Sequence, residues 1–162
     1  MKYVFKLRSY IPLIIIFAVI VGFVIIKAAI TSNFLSASLM LDFMAGFFLV
    51  FGGFKLIKLP AFAEAYGMYD VIAKRFKFYG FIYPFIEIGL GLMFLLRFEV
   101  ITAAWITLIL MIINSIGALN GIRDKKVLMC ACLGTVFKLP MSFVSLGEDV
   151  IMAVMAFMII WG

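Results

Sequence analysis

Charged residues in this chain come in small groups, and between the groups run long stretches with almost none. Ile11 to Ile26 carries no charge, and Lys27-Ala-Ala-Ile30 extends it. Phe34 to Phe54 holds Asp42 alone, Tyr79 to Leu96 holds Glu87 alone, and Val100 to Leu119 holds none. Phe143 to Trp161 carries only Glu148 and Asp149. A helix needs about 20 such residues to cross a hydrocarbon core about 30 Å thick. Backbone polar groups in lipid must be satisfied within the segment itself, so stretches like these are read as helices. The fold class expected is all-α integral membrane, with five spans.

Composition agrees with that reading. The chain is 67% hydrophobic, with a mean hydropathy of +1.28, whereas soluble domains sit at about 45–50% apolar. The net charge of +6 is carried at the ends of apolar runs. That is the membrane pattern and argues against nucleic acid as a partner. Histidine is absent, which removes imidazole metal sites, Ser-His-Asp and Cys-His nucleophiles and a histidine proton relay.

The first apolar run follows Lys2, Lys6 and Arg8. It is longer than the apolar core of about 7–15 residues found in a signal peptide, so an uncleaved transmembrane helix is expected. Twelve of the fourteen cations fall in the N-terminal tail, between Lys55 and Lys77, or between Arg123 and Lys138. Only Lys27 and Arg97 fall on the other side. The positive-inside rule then puts the N-terminus in the cytoplasm and the C-terminus outside, in a bacterial inner membrane. Residues 60–77 differ from the spans. Phe62, Tyr66, Tyr69, Ile72 and Phe76 recur at helical spacing, with Glu64, Asp70, Lys74 and Arg75 on the other side. Pro60 suits a first helical turn. An amphipathic helix lying on the membrane surface is expected, with Asp70 and Lys74 as an i,i+4 pair.

Polar groups inside the spans are the candidates for function, because they are costly in lipid. Counted at 1.5 Å per residue from the cytoplasmic ends, Glu87 lies about 12 Å deep, and Asn114 and Asp149 about 9 Å deep. Asp42 lies in the outer half, where Lys27 is the partner expected. Gly89 and Gly91 would let the third span approach a neighbour closely.

Cys130 and Cys132 are the only cysteines, in an apolar loop of about 127–139 that could dip to the same depth. Two readings of Cys-x-Cys stand side by side. A disulfide closing over one residue is strained and easily reduced, which suits exchange. Lys125 and Lys126 just upstream favour thiolate. Alternatively, two thiolates suit Cu(I), Hg(II) or Zn(II). Met129, Met141 and Glu148 could then add ligands. Met141, Ser145, Glu148, Met152 and Met155 share one helical face, which fits a copper path or ordinary packing. A third reading makes the cysteines small buried apolar residues.

Several of these pieces together resemble the MauE branch of the DoxX-like membrane proteins. The matching features are the Gly-rich Phe48–Phe54, the elbow Ala61–Arg75, Tyr83-Pro-Phe-Ile-Glu-Ile-Gly-Leu-Gly91, and Cys130-Ala-Cys-Leu-Gly134 followed by Pro140-Met141 and Glu148-Asp149. The resemblance covers about Leu41 to Trp161. It implies a four-helix transmembrane bundle over residues 34–162, preceded at 1–33 by a tail and an extra helix. It also implies a redox-associated role in methylamine utilisation, where a periplasmic dehydrogenase needs disulfides. Distant relatives imply a quinone as electron acceptor, and lookalikes carrying heavy-metal-associated domains keep the metal reading open. The function expected is a Cys130/Cys132 dithiol–disulfide couple, with Glu87 and Asp149 exchanging protons with the thiols, that supports maturation of an exported client. The alternatives are a soft-metal transporter or chaperone and a structural membrane subunit.

Overall fold

The computed structural model describes residues 11–68, 70–123 and 143–162, with the backbone alone for 143–145. Within them the chain forms six helices: α1 (Ile11–Thr31), α2 (Ser36–Ile57), α3 (Leu59–Gly67), α4 (Tyr79–Leu95), α5 (Val100–Arg123) and α6 (Phe143–Trp161). Three of them, α1, α2 and α5, are long and apolar enough to cross a membrane. The expectation was five crossings; α4 is a shorter apolar helix of 17 residues, and α6 has 19.

α2 packs along α4, α4 meets α5, α5 packs along α6, and α6 touches α2, which closes a four-helix arrangement. Small residues set the α2–α4 distance. A Cβ on Gly91 would lie 2.9 Å from Leu49 Cγ, and one on Gly52 would lie 3.0 Å from Ile88 Cγ1. Gly89, by contrast, faces open space. Phe48 and Phe94 stack across this seam with ring centroids 6.2 Å apart. The helix α1 lies outside the four, packed on α2 through Ile20 against Gly46 and Phe17 against Phe43, Phe47 and Phe51. Its other side, including Ile14, Ile15 and Val19, is exposed, as suits a lipid-facing surface.

The two ends of the bundle are tied differently. At the end holding the α4–α5 turn, Lys27 and Arg97 both donate to Asp42 Oδ1, at 2.6 and 2.8 Å. The expected Lys27 partner is therefore present, with a second cation beside it. Arg97 also donates to the carbonyls of Phe94 and Ser38. It terminates α4 in the left-handed region, at φ 56°, while the Phe98 N–H reaches back to the Met93 carbonyl at 2.9 Å. Glycine is usual at such a helix end, so the arginine is kept there by its side-chain bonds. Trp105 and Trp161, 5.4 Å apart, join α5 to α6 at the same end.

At the opposite end the chain turns through an elbow, residues 58–78, made of α3 and the turns that follow it. The amphipathic helix expected over 60–77 stops at Gly67. The reason lies in Asp70. Its Oδ1 accepts from the N–H groups of Ile72 and Ala73, at 2.9 and 2.8 Å. A carboxylate bonding its own backbone in this way competes with helix continuation. Asp70 is consequently buried, at 0% exposure, and is turned inward rather than toward Lys74. Phe76 is exposed, as suits a ring on the face expected to lie on the membrane surface. The elbow is pressed onto α4 where Gly80 meets Ala63, whose Cα would lie 3.1 Å from an added Cβ.

Candidate functional site: a buried ionic centre at the elbow end

Lys55 lies in the last turn of α2, where a lysine in a membrane helix usually snorkels outward. Here it turns inward. Gly52, one turn earlier on the same face, lets α2 approach α4 so closely that its added Cβ would lie 3.4 Å from Glu87 Cβ. The Lys55 ammonium then donates to both Glu87 oxygens, Oε1 at 2.5 Å and Oε2 at 2.7 Å. Lys55 is 5% exposed and Glu87 1%. The ammonium also lies over the rings of Tyr83, 4.9 Å from its centroid, and Phe62, 5.5 Å away. A buried charge must be paired and hydrogen-bonded to be tolerated, and this ammonium meets a carboxylate and two ring faces.

A chain of hydrogen bonds runs into this pair. Tyr66 on α3 donates to Asn114 Oδ1 on α5 at 2.8 Å, and Asn114 Nδ2 donates to the Tyr83 hydroxyl on α4 at 2.5 Å. That donation fills a Tyr83 lone pair and leaves its proton directed to Glu87, its neighbour one turn on. The rings of Tyr66 and Tyr83 lie 4.7 Å apart, with Phe62 beside both. Three helices are thus joined through one polar layer. Glu87 receives its bonds from donors on two sides, Lys55 and Tyr83.

The α6 acids stand at the edge of this layer. Asp149 is half-buried and lies within electrostatic reach of Lys55, Glu87 and Asp70. Glu148 is buried. Met152 belongs to the packed core, the ordinary role of a methionine on a bundle face. Of the residues singled out by sequence, Glu87, Asn114 and Asp149 come together. Cys130, Cys132, Met129 and Met141 lie outside the described residues, as does the side chain of Ser145. Among the described residues, no group of three acidic, cysteine or histidine side chains is placed to hold a metal ion.

Lys55, Tyr66, Tyr83 and Asp70 are the members that sequence reasoning passed over. By position Lys55 groups with the cytoplasmic cations, and the bias holds without it. The signal that could have found it is the Gly52-x-x-Lys55 spacing, which sets a small contact residue and a cation on one helix face opposite an acid-bearing helix.

A helical bundle with apolar outward faces, three span-length helices and a buried ion pair defines a multi-helix membrane protein with a polar interior. The chain belongs to the family described as Methylamine utilisation protein MauE, which matches residues 33–162. The match covers α2 to α6 and leaves α1 outside. No curated protein and no solved structure matches the chain.

Proposed function

We propose that this MauE-family protein supports the maturation of an exported client in a methylamine-utilisation setting, using Cys130 and Cys132 as a dithiol–disulfide couple. In this reading α4 and α6 also cross the membrane. They run beside α2 and α5, and at 1.5 Å per residue they are about 26 and 28 Å long, close to a hydrocarbon core. The cation bias puts the elbow end in the cytoplasm.

The observation that carries the reading is where the buried ionic centre lies. Residues 124–142, which include both cysteines, join the end of α5 to the start of α6. Both helix ends belong to the elbow end, beside the layer that holds Glu87, Asn114 and Asp149. Thiol exchange requires thiolate, and a nearby carboxylate can take the proton. Asp149 is the better acceptor of the two acids, because Glu87 already receives its bonds from Lys55 and Tyr83. Because this end faces the cytoplasm and the client is exported, the oxidation is handed on through another subunit: the Cys130–Cys132 disulfide oxidises that subunit's dithiol by exchange and becomes the dithiol. That dithiol then loses two electrons and two protons to a membrane quinone, which becomes the quinol.

The test is thiol titration of the purified protein before and after reductant, combined with Cu(I) titration of wild type and Cys132→Ser. The reading requires a reversible two-electron couple without tight copper binding. Stoichiometric copper binding that is lost in Cys132→Ser would replace it with the soft-metal reading. Neither signal would leave a structural subunit.

A further inference from the structure

The elbow divides its charges by side. Asp70 is buried, whereas Lys58, Lys74, Arg75 and Lys77 are all exposed. The ion pairs among the described residues are those of Lys27, Lys55 and Arg97, so the four elbow cations take part in none of them. Large apolar side chains are interleaved with these cations. Ile57, Met68, Val71, Phe76 and Phe78 are between 47% and 72% exposed. Glu64 is the acid exposed on the same segment.

Much of this surface belongs to the turns after α3 rather than to the helix. Asp70 folds them. Its bonds to the Ile72 and Ala73 amides and the Lys74 N–H to the Asp70 carbonyl at 3.1 Å wind 70–76 into compact turns. Ala73 faces inward, and Lys74, Arg75, Phe76, Lys77 and Phe78 face outward. These turns lie between the end of α2 and the start of α4; with α2 and α4 both crossing, as proposed above, that is the level where a hydrocarbon core gives way to headgroups. Aromatic rings seated among acyl chains with cations just above them are the pattern that binds an anionic lipid surface.

We propose that the elbow turns, through Lys74, Arg75 and Lys77 with Phe76 and Phe78 as apolar anchors, dock anionic phospholipid headgroups of the adjacent leaflet. Charge complementarity and depth favour lipid over an acidic protein partner. The cations alternate with rings that would otherwise stand in water, and α2 and α4 hold the segment at the bilayer edge.

The full chain, carrying Trp105→Phe, Trp161→Phe and Phe78→Trp, provides a single fluorophore at the elbow. It is reconstituted in phosphatidylcholine vesicles containing 30% phosphatidylglycerol, with bromine on the acyl chains of one lipid or the other. The proposal expects brominated phosphatidylglycerol to quench more, per mole, than brominated phosphatidylcholine. In Lys74→Gln/Arg75→Gln/Lys77→Gln that preference should fall at least fivefold, since each basic side chain near such a surface is worth about fivefold in binding. The charge-keeping Lys74→Arg/Lys77→Arg should retain it and guards against misfolding of the neutral variant. Equal quenching by the two lipids, or a preference unchanged in the neutral variant, would overturn the proposal. So would a tryptophan quenched by neither lipid, the outcome expected if a protein partner covered this surface.

Discussion

The Lys55–Glu87 pair permits a quantitative test of the buried centre. Lys55→Met keeps the chain length and removes the charge. Glu87 then loses both of its ammonium bonds and retains Tyr83. Stranding one member of a buried pair costs about 3–5 kcal/mol. Glu87→Gln should cost less, about 2–4 kcal/mol, because the ammonium keeps an amide oxygen and ring contacts worth about 1–2 kcal/mol. The double variant Lys55→Met/Glu87→Gln leaves no stranded charge. It should be at least about 2 kcal/mol more stable than the sum of the single losses. Thermal unfolding in mild detergent, followed by circular dichroism, reads this directly. At about 2–4 °C per kcal/mol for a chain of this size, Lys55→Met should melt about 10 °C lower, and adding Glu87→Gln should raise the melting temperature again. Strictly additive losses, or single losses below about 1 kcal/mol, would refute the reasoning, because the two charges would then not depend on each other.

Three further outcomes are expected. Tyr83→Phe should destabilise by about 1–3 kcal/mol in the same assay, because Asn114 Nδ2 loses its acceptor in a buried layer. Gly91→Ala should cost about 1–3 kcal/mol, since its Cβ would lie 2.9 Å from Leu49 Cγ and crowd the α2–α4 seam, whereas Gly89→Ala, in open space, should be neutral or gain up to about 1 kcal/mol of helix propensity. Arg97→Ala should be less stable than Arg97→Gly by about 1 kcal/mol, because both lose the Asp42 bond and only glycine relieves the left-handed backbone.

The helices themselves were legible because charge placement reads as span and break. Val100–Leu119 reads as one span, and α5 continues it only by a turn, to Arg123. The elbow departs from its sequence pattern for a specific reason. A 3.6-residue pattern put Asp70 on the wet side, but an aspartate can bond its own backbone, and Asp70 does so and ends the regular helix early. Glu87 stood out as an acid in an apolar run, and Asp42 pointed to Lys27 through depth. Lys55 did not stand out, because a lysine at a helix end is ordinary and its inward turn depends on how closely Gly52 lets α4 approach. Tyr66 and Tyr83 were likewise hidden. Their role comes from Asn114, which reaches them from a different helix, a contact that no local spacing encodes.

The proposed thiol couple is tested most directly by its electrons. The wild-type protein is reduced, freed of reductant and reconstituted in vesicles, then exposed to a membrane quinone while free thiols are counted by alkylation and mass. The account predicts that two thiols per chain disappear together as quinol forms, and that Asp149→Asn slows the loss without changing the melting temperature by more than a few degrees. If both thiols stay reactive while the quinone stays oxidised, the Cys130–Cys132 couple is contradicted.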